Sequence, residues 1–256
     1  MSDKKETFGG ELAKNLPVKE IYDDVAHPAL STIGQALQGV TRMALAPISA
    51  MIWGYDKIAD YLDVAIPEYF ARKKIEKEKI QSPDPSIAVP VIEAMRYTSH
   101  KPELIKMFTN VLGASMNSET YDEHPAFVEI IKQLCSDECK MLKYLRHNDK
   151  MPIIKQRMAV PSGGEVDITP YYSNICYLTN CEFPEKFPEY LDNLRRLGLV
   201  VVEYDRYFVN DQFYIDLLND SRYIKSVSTE NQKVSEKKSL YELSDMGKRF
   251  CEVCID

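Results

Sequence analysis

The sequence predicts a mainly α-helical protein in which an N-terminal and central helical bundle precedes a C-terminal winged-helix-like α+β module. Two observations support this fold class. Across 86–134, three blocks repeat apolar residues three and four positions apart, and a helix gathers such residues on one side. Beyond residue 135, helical patterns alternate with short β-branched runs such as 199–202, which are typical of strands. We therefore expect helices to dominate and a small sheet to form in the second half.

Composition and charge fit a globular chain with three regions. The 256 residues are 45% apolar and 28% charged, which is ordinary for a folded protein. The net charge of −7 provides no overall field that attracts nucleic acid or anionic lipid, so binding either one requires a local basic surface. We predict a flexible N-terminal arm at 1–27, a helical domain at 28–134 and a winged-helix-like domain at 135–256.

In the helical domain, prolines and polar breaks predict where helices begin and end. A helix is expected from Pro47 through Leu62, with Pro67 interrupting or restarting it before it continues into the charged run 72–80. A linker containing two prolines should follow at 81–85. Three further helices are expected, with prolines near their starts where a missing N–H costs little: Pro90, Pro102 and Pro125.

One segment of this domain is unusually poor in charge. Between Asp24 and Asp56, only His27 and Arg42 can carry one. Apolar residues recur there at helical spacing, but serine, threonine, glutamine and glycine dilute them below what a transmembrane helix requires. We interpret the segment as a buried helix. The alternative is that 25–55 is membrane-active and perturbs the inner membrane.

The second half shows clear start and stop signals. Ser136 is the expected N-cap of a helix, Gly198 should end another at 183–197, and Ser244 should cap the last. Residues 207–209 either continue a hairpin or begin a helix. The other expected elements are strands at 151–160, 199–202 and 240–243, a helix within 171–178, a polar loop at 226–238 and a helix at 245–254.

The order of these elements resembles a winged helix, in which the helix before the hairpin can enter the DNA major groove. Here that helix would present Lys186, Arg195 and Arg196 to nucleic acid. It also carries acids that would oppose phosphates, namely Glu185, Glu189 and Asp192. DNA binding and use as a protein-binding module both stay open, because a fold does not determine a function.

Cysteines and reactive groups give no sign of catalysis. The six cysteines form two pairs one helical turn apart and two isolated residues: Cys135 with Cys139, Cys251 with Cys254, and Cys176 and Cys181. The two pairs could converge on zinc, but we favour free thiols in a reducing cytoplasm. Across 86–134, no block pairs a nucleophile with a base or forms a phosphate loop. We predict no catalytic residue, no metal and no cofactor.

Four motifs resemble one known family. They are IWGYDKI at 52–58, IAVPVIEAMRYT at 87–98, ELIKMFTNVL at 103–112 and HPAFVEIIKQL at 124–134. The chain is similar in these motifs to the abortive-infection alpha (Abi-alpha) family, a bacterial domain of unknown function, over roughly 30–256. The resemblance implies a role in phage abortive infection, and it supplies no catalytic residues.

Within these motifs, polar or amphipathic side chains interrupt apolar helices. Such groups persist when they hydrogen-bond between helices, because an unpaired buried one costs a few kcal/mol. We predict that Arg96 pairs with Glu93 or Glu129. The alternatives are a packing network and a ligand or interaction site. The predicted network or interaction residues are Trp53, Tyr55, Arg96, Tyr97, Asn110, His124 and Glu129.

These observations favour an interaction protein over an enzyme. We expect a cytoplasmic location, or one peripheral to the inner membrane, because 1–16 lacks the apolar core of a secretory signal. The expected partner is a phage or host protein. DNA, a membrane contacted through 25–55 and a second copy of the chain are the alternatives.

Overall fold

The computed structural model describes residues 52–119, 124–160, 163–223 and 233–255. The chain divides into two compact units, 1–132 and 133–256. The described part of the first unit is helical, and that of the second combines helices with a four-stranded antiparallel sheet. The fold is therefore α+β and mainly helical, as predicted. The arm at 1–27 and the charge-poor segment up to residue 51 lie outside the described residues.

The described first unit contains four α-helices, three of which surround a central one. They are α1 (Tyr55–Lys73), α2 (Pro85–Thr98), α3 (Pro102–Ser115) and α4 (Ala126–Lys132), with a short 3-10 helix at Lys77–Lys79. Helices α1, α2 and α4 each pack against α3. Every residue of α3 from 107 to 115 is buried, so α3 is the core of this unit.

A glycine allows α1 to approach α3 closely. A Cβ atom on Gly113 would lie only 2.4 Å from Cδ1 of the Tyr69 ring, which is closer than packed atoms can approach. Tyr69 itself is buried in α1. The two helices therefore meet where α3 has no side chain.

Three expectations for the first unit are corrected. Helix α1 does not continue through the charged run to residue 80, because Lys74 adopts a left-handed conformation with φ 57° that ends it. Pro67 lies inside α1 without breaking it. Pro90 lies in the interior of α2, which begins earlier because Asp84 caps it by accepting a 2.7 Å hydrogen bond from the Ser86 N–H.

The described second unit combines helices and strands. Its core is formed by two long strands that pair with each other and by the helices that cover them. The elements in chain order are α5 (Ser136–His147), β1 (Lys150–Ala159), β2 (Glu165–Asp167), α6 (Ile175–Leu178), a 3-10 helix (Pro184–Lys186), α7 (Phe187–Arg196), β3 (Val200–Glu203), α8 (Gln212–Leu218), β4 (Val234–Leu243) and α9 (Asp245–Cys254).

The sheet has the order β2-β1-β4-β3, and all its pairs are antiparallel. Strand β1 pairs with β4 along its length, from Lys150 opposite Glu242 to Met158 opposite Val234. Gly198, with φ 73°, ends α7 and turns the chain into β3. The predicted helix stop and the predicted strand after it are thus confirmed.

The long connection between β3 and β4 contains α8, which Tyr214 attaches to the sheet. This side chain is fully buried. Its hydroxyl accepts a 3.0 Å hydrogen bond from the Phe208 N–H and donates a 2.9 Å bond to the Ser239 carbonyl of β4. Around it pack Ile154, Leu217 and Tyr223.

Several predicted boundaries in the second unit are wrong. The N-cap of α5 is Cys135, whose N–H donates to the Glu138 carboxylate at 2.8 Å, and Ser136 is the first helical residue. Residues 207–209 belong to neither a strand nor a helix, and α8 begins at Gln212. The polar run 234–238 is strand rather than loop, because it pairs with β1.

The predicted helix within 171–178 is also shorter than expected. Only the last four residues form α6. Tyr172 instead exchanges two backbone hydrogen bonds with Ile154, of 3.0 and 2.8 Å, and so extends the sheet beside β1. Pairing with a neighbouring strand has outweighed the local helical pattern.

Candidate interaction sites

Arg96, at the C-terminal end of α2, is the centre of a polar cluster in the first unit. Its Nη1 atom lies 3.3 Å from the Glu93 carboxylate, so Glu93 is the predicted partner that pairs with it. The guanidinium also lies over the Tyr55 ring, 4.8 Å from the centroid, and 5.6 Å from that of Tyr97. The Tyr55 hydroxyl donates a hydrogen bond to Glu93. We call Tyr55, Glu93, Arg96 and Tyr97 the Arg96 cluster.

The surroundings of Arg96 and Tyr55 in the Arg96 cluster keep the guanidinium charged and the phenol protonated. Burial alone would lower the pKa of Arg96, but the neighbouring Tyr55, Tyr97 and Glu93 raise it overall, so the guanidinium stays charged. Burial and the nearby Glu93 carboxylate raise the pKa of Tyr55, so its hydroxyl stays a donor. The Trp53 N–H donates to the Arg96 carbonyl at 3.1 Å. The cluster therefore joins the start of α1 to the end of α2.

Of the other predicted network residues, Asn110, His124 and Glu129 lie elsewhere in the unit. The Asn110 amide oxygen accepts a 2.8 Å hydrogen bond from Arg72. The Nδ1 atom of His124 accepts one from the N–H of Ala126, at 3.1 Å, at the start of α4. Glu129 is exposed and lies 3.0 Å from Lys132. The Trp53 ring packs on Tyr61 with a centroid separation of 5.5 Å.

Asp137, in the first turn of α5, is a buried anion that the sequence did not identify as a site. Its carboxylate accepts hydrogen bonds from the N–H groups of Glu182 and Phe183, at 2.8 and 3.0 Å. It also accepts bonds from the Tyr190 hydroxyl at 3.1 Å and the Lys140 ammonium at 2.9 Å. Burial would raise the pKa of Asp137, but these donors lower it overall, so it stays ionised. Asp137 thus fixes the segment that leads into α7.

The exposed side of α7 and its preceding turn carries the three cations proposed for nucleic-acid contact. Arg195 donates to the Tyr204 hydroxyl at 2.8 Å and lies 3.4 Å from Asp192. Arg196 donates to the Asn193 side-chain oxygen at 2.6 and 3.2 Å. The Lys186 ammonium lies 4.9 Å from the Phe183 ring centroid. Six exposed charged residues together form what we call the α7 surface: Glu185, Lys186, Glu189, Asp192, Arg195 and Arg196.

These contacts limit what the α7 surface can do electrostatically. Its three acids and three cations cancel, so it presents no net positive charge to a phosphate backbone. Both arginines already donate hydrogen bonds within the second unit. Phosphate binding would have to replace these bonds, and it gains affinity only through unbalanced positive charge.

Large apolar side chains are exposed after β3. Val209 is 95% exposed, and Tyr207 is 61% exposed. Exposed apolar side chains that cluster are more typical of a binding surface than single ones. Five of these exposed residues together form what we call the β3–α8 surface: Tyr204, Tyr207, Val209, Phe213 and Ile215.

Metal and membrane sites were also among the alternatives. All six cysteines are free thiols, and nowhere in the described ranges do three or more histidine, cysteine or carboxylate groups gather as a metal site. None of the described helices is long and apolar enough to cross a bilayer. Most of 25–55 lies outside the described residues, so its membrane role stays a prediction.

Fold and surface together define a mainly helical α+β protein with exposed apolar and charged side chains in its second unit. A family model described as abortive infection alpha matches residues 61–254, which is most of the chain. The protein therefore belongs to the abortive infection alpha family, and the prediction from the four motifs is confirmed. Membership of this family suggests a role in abortive infection.

Two further comparisons add no functional information. Among solved structures, the chain is similar to an uncharacterized protein from the hydrocarbon-degrading marine bacterium Alcanivorax borkumensis SK2. The two share 16% identity over 50% of this chain and 90% of that one, with a TM-score of 0.36, which is too low to support an argument. The comparison with curated proteins found no match.

Proposed function

We propose that this protein acts in phage defence by binding a phage or host protein through the second unit, using the β3–α8 surface beside the α7 surface. The observation that carries the proposal is the pairing of the α7 arginines. Arg195 donates a hydrogen bond to Tyr204 and Arg196 donates one to Asn193, so a phosphate would have to displace a hydrogen bond of each guanidinium. The family membership supports the defence role, and the exposed apolar residues support protein binding.

A winged-helix arrangement is part of the proposal. The order α5, β1, α6, α7, β3 and β4, with β4 between β1 and β3 in the sheet, is compatible with that fold. In such a fold α7 would be the presenting helix, and the connection between β3 and β4 would be the wing. That connection carries Tyr207, Val209 and Phe213, which suit an apolar protein surface better than a phosphate backbone.

The test combines a functional assay with a binding assay. Cells carrying the protein, or lacking it, are challenged with phage, and plaque numbers are counted. Val209→Asp and Phe213→Asp should raise plaque numbers, because a charge placed in an apolar contact costs about 2 kcal/mol, or roughly thirtyfold in affinity. Val64→Asp, at a valine that is 61% exposed on α1 of the first unit, is the matched control and should leave plaque numbers unchanged.

A crosslinking experiment identifies the class of partner. A photoreactive residue at position 209 should crosslink to a protein during infection, and the same residue at position 64 should not. DNA binding is measured separately by gel shift at low salt, comparing the parent with Arg195→Ala/Arg196→Ala. If the parent shifts DNA and the double substitution abolishes both this gel shift and the protection against phage, DNA binding would replace our proposal. Equal plaque numbers with and without the protein would reject the defence role.

A further inference from the structure

Cys176 and Cys181, which the sequence leaves isolated, meet at the end of α6. The Cys181 N–H donates to the Cys176 carbonyl at 2.8 Å, and the Asn180 N–H donates to that of Tyr177 at 3.4 Å. Asn180 between them has a left-handed φ of 52°. This pair of hydrogen bonds is the Schellman ending of a helix. The side chains at its two ends, here Cys176 and Cys181, are frequently in contact in this motif.

The backbone of this turn satisfies the distance requirement for a disulfide. A 2.8 Å hydrogen bond joins the two residues directly. Summed with the backbone bond lengths, it limits the separation of the Cα atoms to about 7 Å, and the bond angles shorten this further. Disulfides form at Cα separations of roughly 4.4–6.8 Å, so the bridge needs little backbone movement.

The side chains of Cys176 and Cys181 also contact the same part of α5. The Cys181 sulfur lies 3.8 Å from the Asp137 carbonyl, and the Cys176 sulfur lies 3.7 Å from the sulfur of Met141. Asp137 and Met141 are one turn apart on α5, so both thiols point at one helical turn. Cys181 retains 8% exposure, whereas Cys176 has none.

The two thiols differ in acidity. The neighbouring Cys176 thiol lowers the pKa of Cys181, and the Thr179 hydroxyl, 3.3 Å from its sulfur, has the same effect. The same thiol pair and burial raise the pKa of Cys176. Cys181 is therefore the thiol that ionises, and it is also the more accessible of the two.

We propose that Cys176 and Cys181 form a reversible disulfide when a hydroperoxide reacts with the protein, a modification independent of the binding function above. The Cys181 thiolate attacks the peroxide, forming an S–O bond and breaking the O–O bond, and an alcohol or water leaves. Cys176 then attacks the Cys181 sulfur, forming the S–S bond as water departs with the thiol proton. Two thiols lose two electrons, and one hydroperoxide is reduced.

The other cysteines act as internal controls. Burial raises the pKa of Cys251 to about 12 and that of Cys135 to about 11, and it raises the pKa of Cys254 as well. Cys251 and Cys254 are each 1% exposed. Thiols that stay protonated react poorly with peroxide, so these residues should remain reduced.

Peptide mapping of the full chain tests the proposal. The protein is treated with hydrogen peroxide, its remaining thiols are alkylated, and tryptic peptides are weighed. The single peptide that spans both cysteines should lose two hydrogens, resist alkylation and regain both thiols with dithiothreitol. Cys181→Ser should leave Cys176 alkylatable, whereas Cys254→Ser should leave the disulfide intact.

Three results would overturn the proposal. One is irreversible oxidation of Cys181 with Cys176 still alkylatable. Another is a disulfide between two chains in place of the internal one. The third is a spanning peptide that remains reduced after the four control cysteines have been oxidised. The measurement on the unsubstituted chain holds even where a serine variant does not fold.

Discussion

Asp137 with its four hydrogen-bond donors, which we call the Asp137 cluster, and the Arg96 cluster each stabilise a buried charge, but in different ways. Asp137 has a side chain only 5% exposed and takes two of its four donors from backbone N–H groups. Arg96 is 12% exposed and is surrounded by side chains, of which Glu93 remains 38% exposed. Backbone donors cannot rotate away, whereas side chains can. Asp137 therefore determines a chain path, and Arg96 stabilises a contact between two helices.

The difference indicates which cluster the fold depends on. Removing one member of a buried, hydrogen-bonded charge group leaves its partners unpaired, which costs about 3–5 kcal/mol. Where the partners can reach water, the same removal costs much less. Substitutions at the two clusters should therefore separate clearly in unfolding experiments.

The largest effect is expected for Asp137→Asn. The amide keeps the size of the side chain but removes the charge and turns an NH₂ group toward existing donors. We expect a loss of about 4 kcal/mol in the free energy of unfolding, measured by denaturant titration. Asp192→Asn, whose carboxylate is 75% exposed, is the matched control and should change stability by less than about 0.5 kcal/mol. Equal effects for both variants would show that burial and backbone donors do not make Asp137 more important for stability than an exposed carboxylate.

The same carboxylate should give the stability a pH dependence. The pKa of Asp137 is lowered in the folded protein, so its contribution is fully present above the unfolded value of about 3.9. That contribution is lost as the pH falls below this value toward the lower pKa of the folded state. Unfolding measured from pH 7 to pH 3 should show the gap between the parent and Asp137→Asn narrowing below about pH 4. A gap that widens on acidification would contradict this assignment.

A smaller effect is expected for Arg96→Met. The substitution keeps an apolar stem but removes the pairing with Glu93 and the stacking on two tyrosines. Because the carboxylate can reach water, we expect a loss of about 2 kcal/mol. Hydrogen exchange of the Trp53 amide, which donates to the Arg96 carbonyl, should also become faster. Unchanged stability and exchange would mean that the cluster is not structural.

The smallest effect is expected for Lys132→Met. This lysine pairs with Glu129 on an exposed helix face, at a distance of 3.0 Å. Exposed pairs of this kind contribute about 0.3–0.5 kcal/mol, so the change should lie near the error of a denaturant titration. A loss comparable to that of Arg96→Met would show that burial is not what distinguishes the two ion pairs.

Some features that depend on neighbouring residues could be predicted from the sequence. The Ser244 cap is one example, because its hydroxyl accepts a 2.8 Å hydrogen bond from the N–H of Gly247, three residues later. The helix at 245–254 is another, and so is the pairing of Arg96 with Glu93, which lies one helical turn away and is one of the two partners that the sequence predicts. In each case the spacing alone carries the information.

Features that depend on distant residues could not be predicted. Asp137 is an ordinary first-turn acid in the sequence, and its backbone donors lie 45 and 46 residues further along the chain. Residues 234–238 have the polar sequence of a loop, and they form a strand because they pair with β1. The meeting of Cys176 and Cys181 depends on a left-handed Asn180, which periodicity does not reveal.

The attachment of α8 through Tyr214 has a practical consequence for protein engineering. The tyrosine hydroxyl connects Phe208 to the Ser239 carbonyl, while the register of β1 and β4 is set by their own backbone pairs. The segment between β3 and β4 can thus be exchanged without altering the backbone pairs between β1 and β4. A chimera that imports another relative's segment should preserve the sheet if it keeps Tyr214, Leu217 and Tyr223, which pack with Ile154 of β1. On the function proposed for this surface, it should also acquire that relative's binding partner.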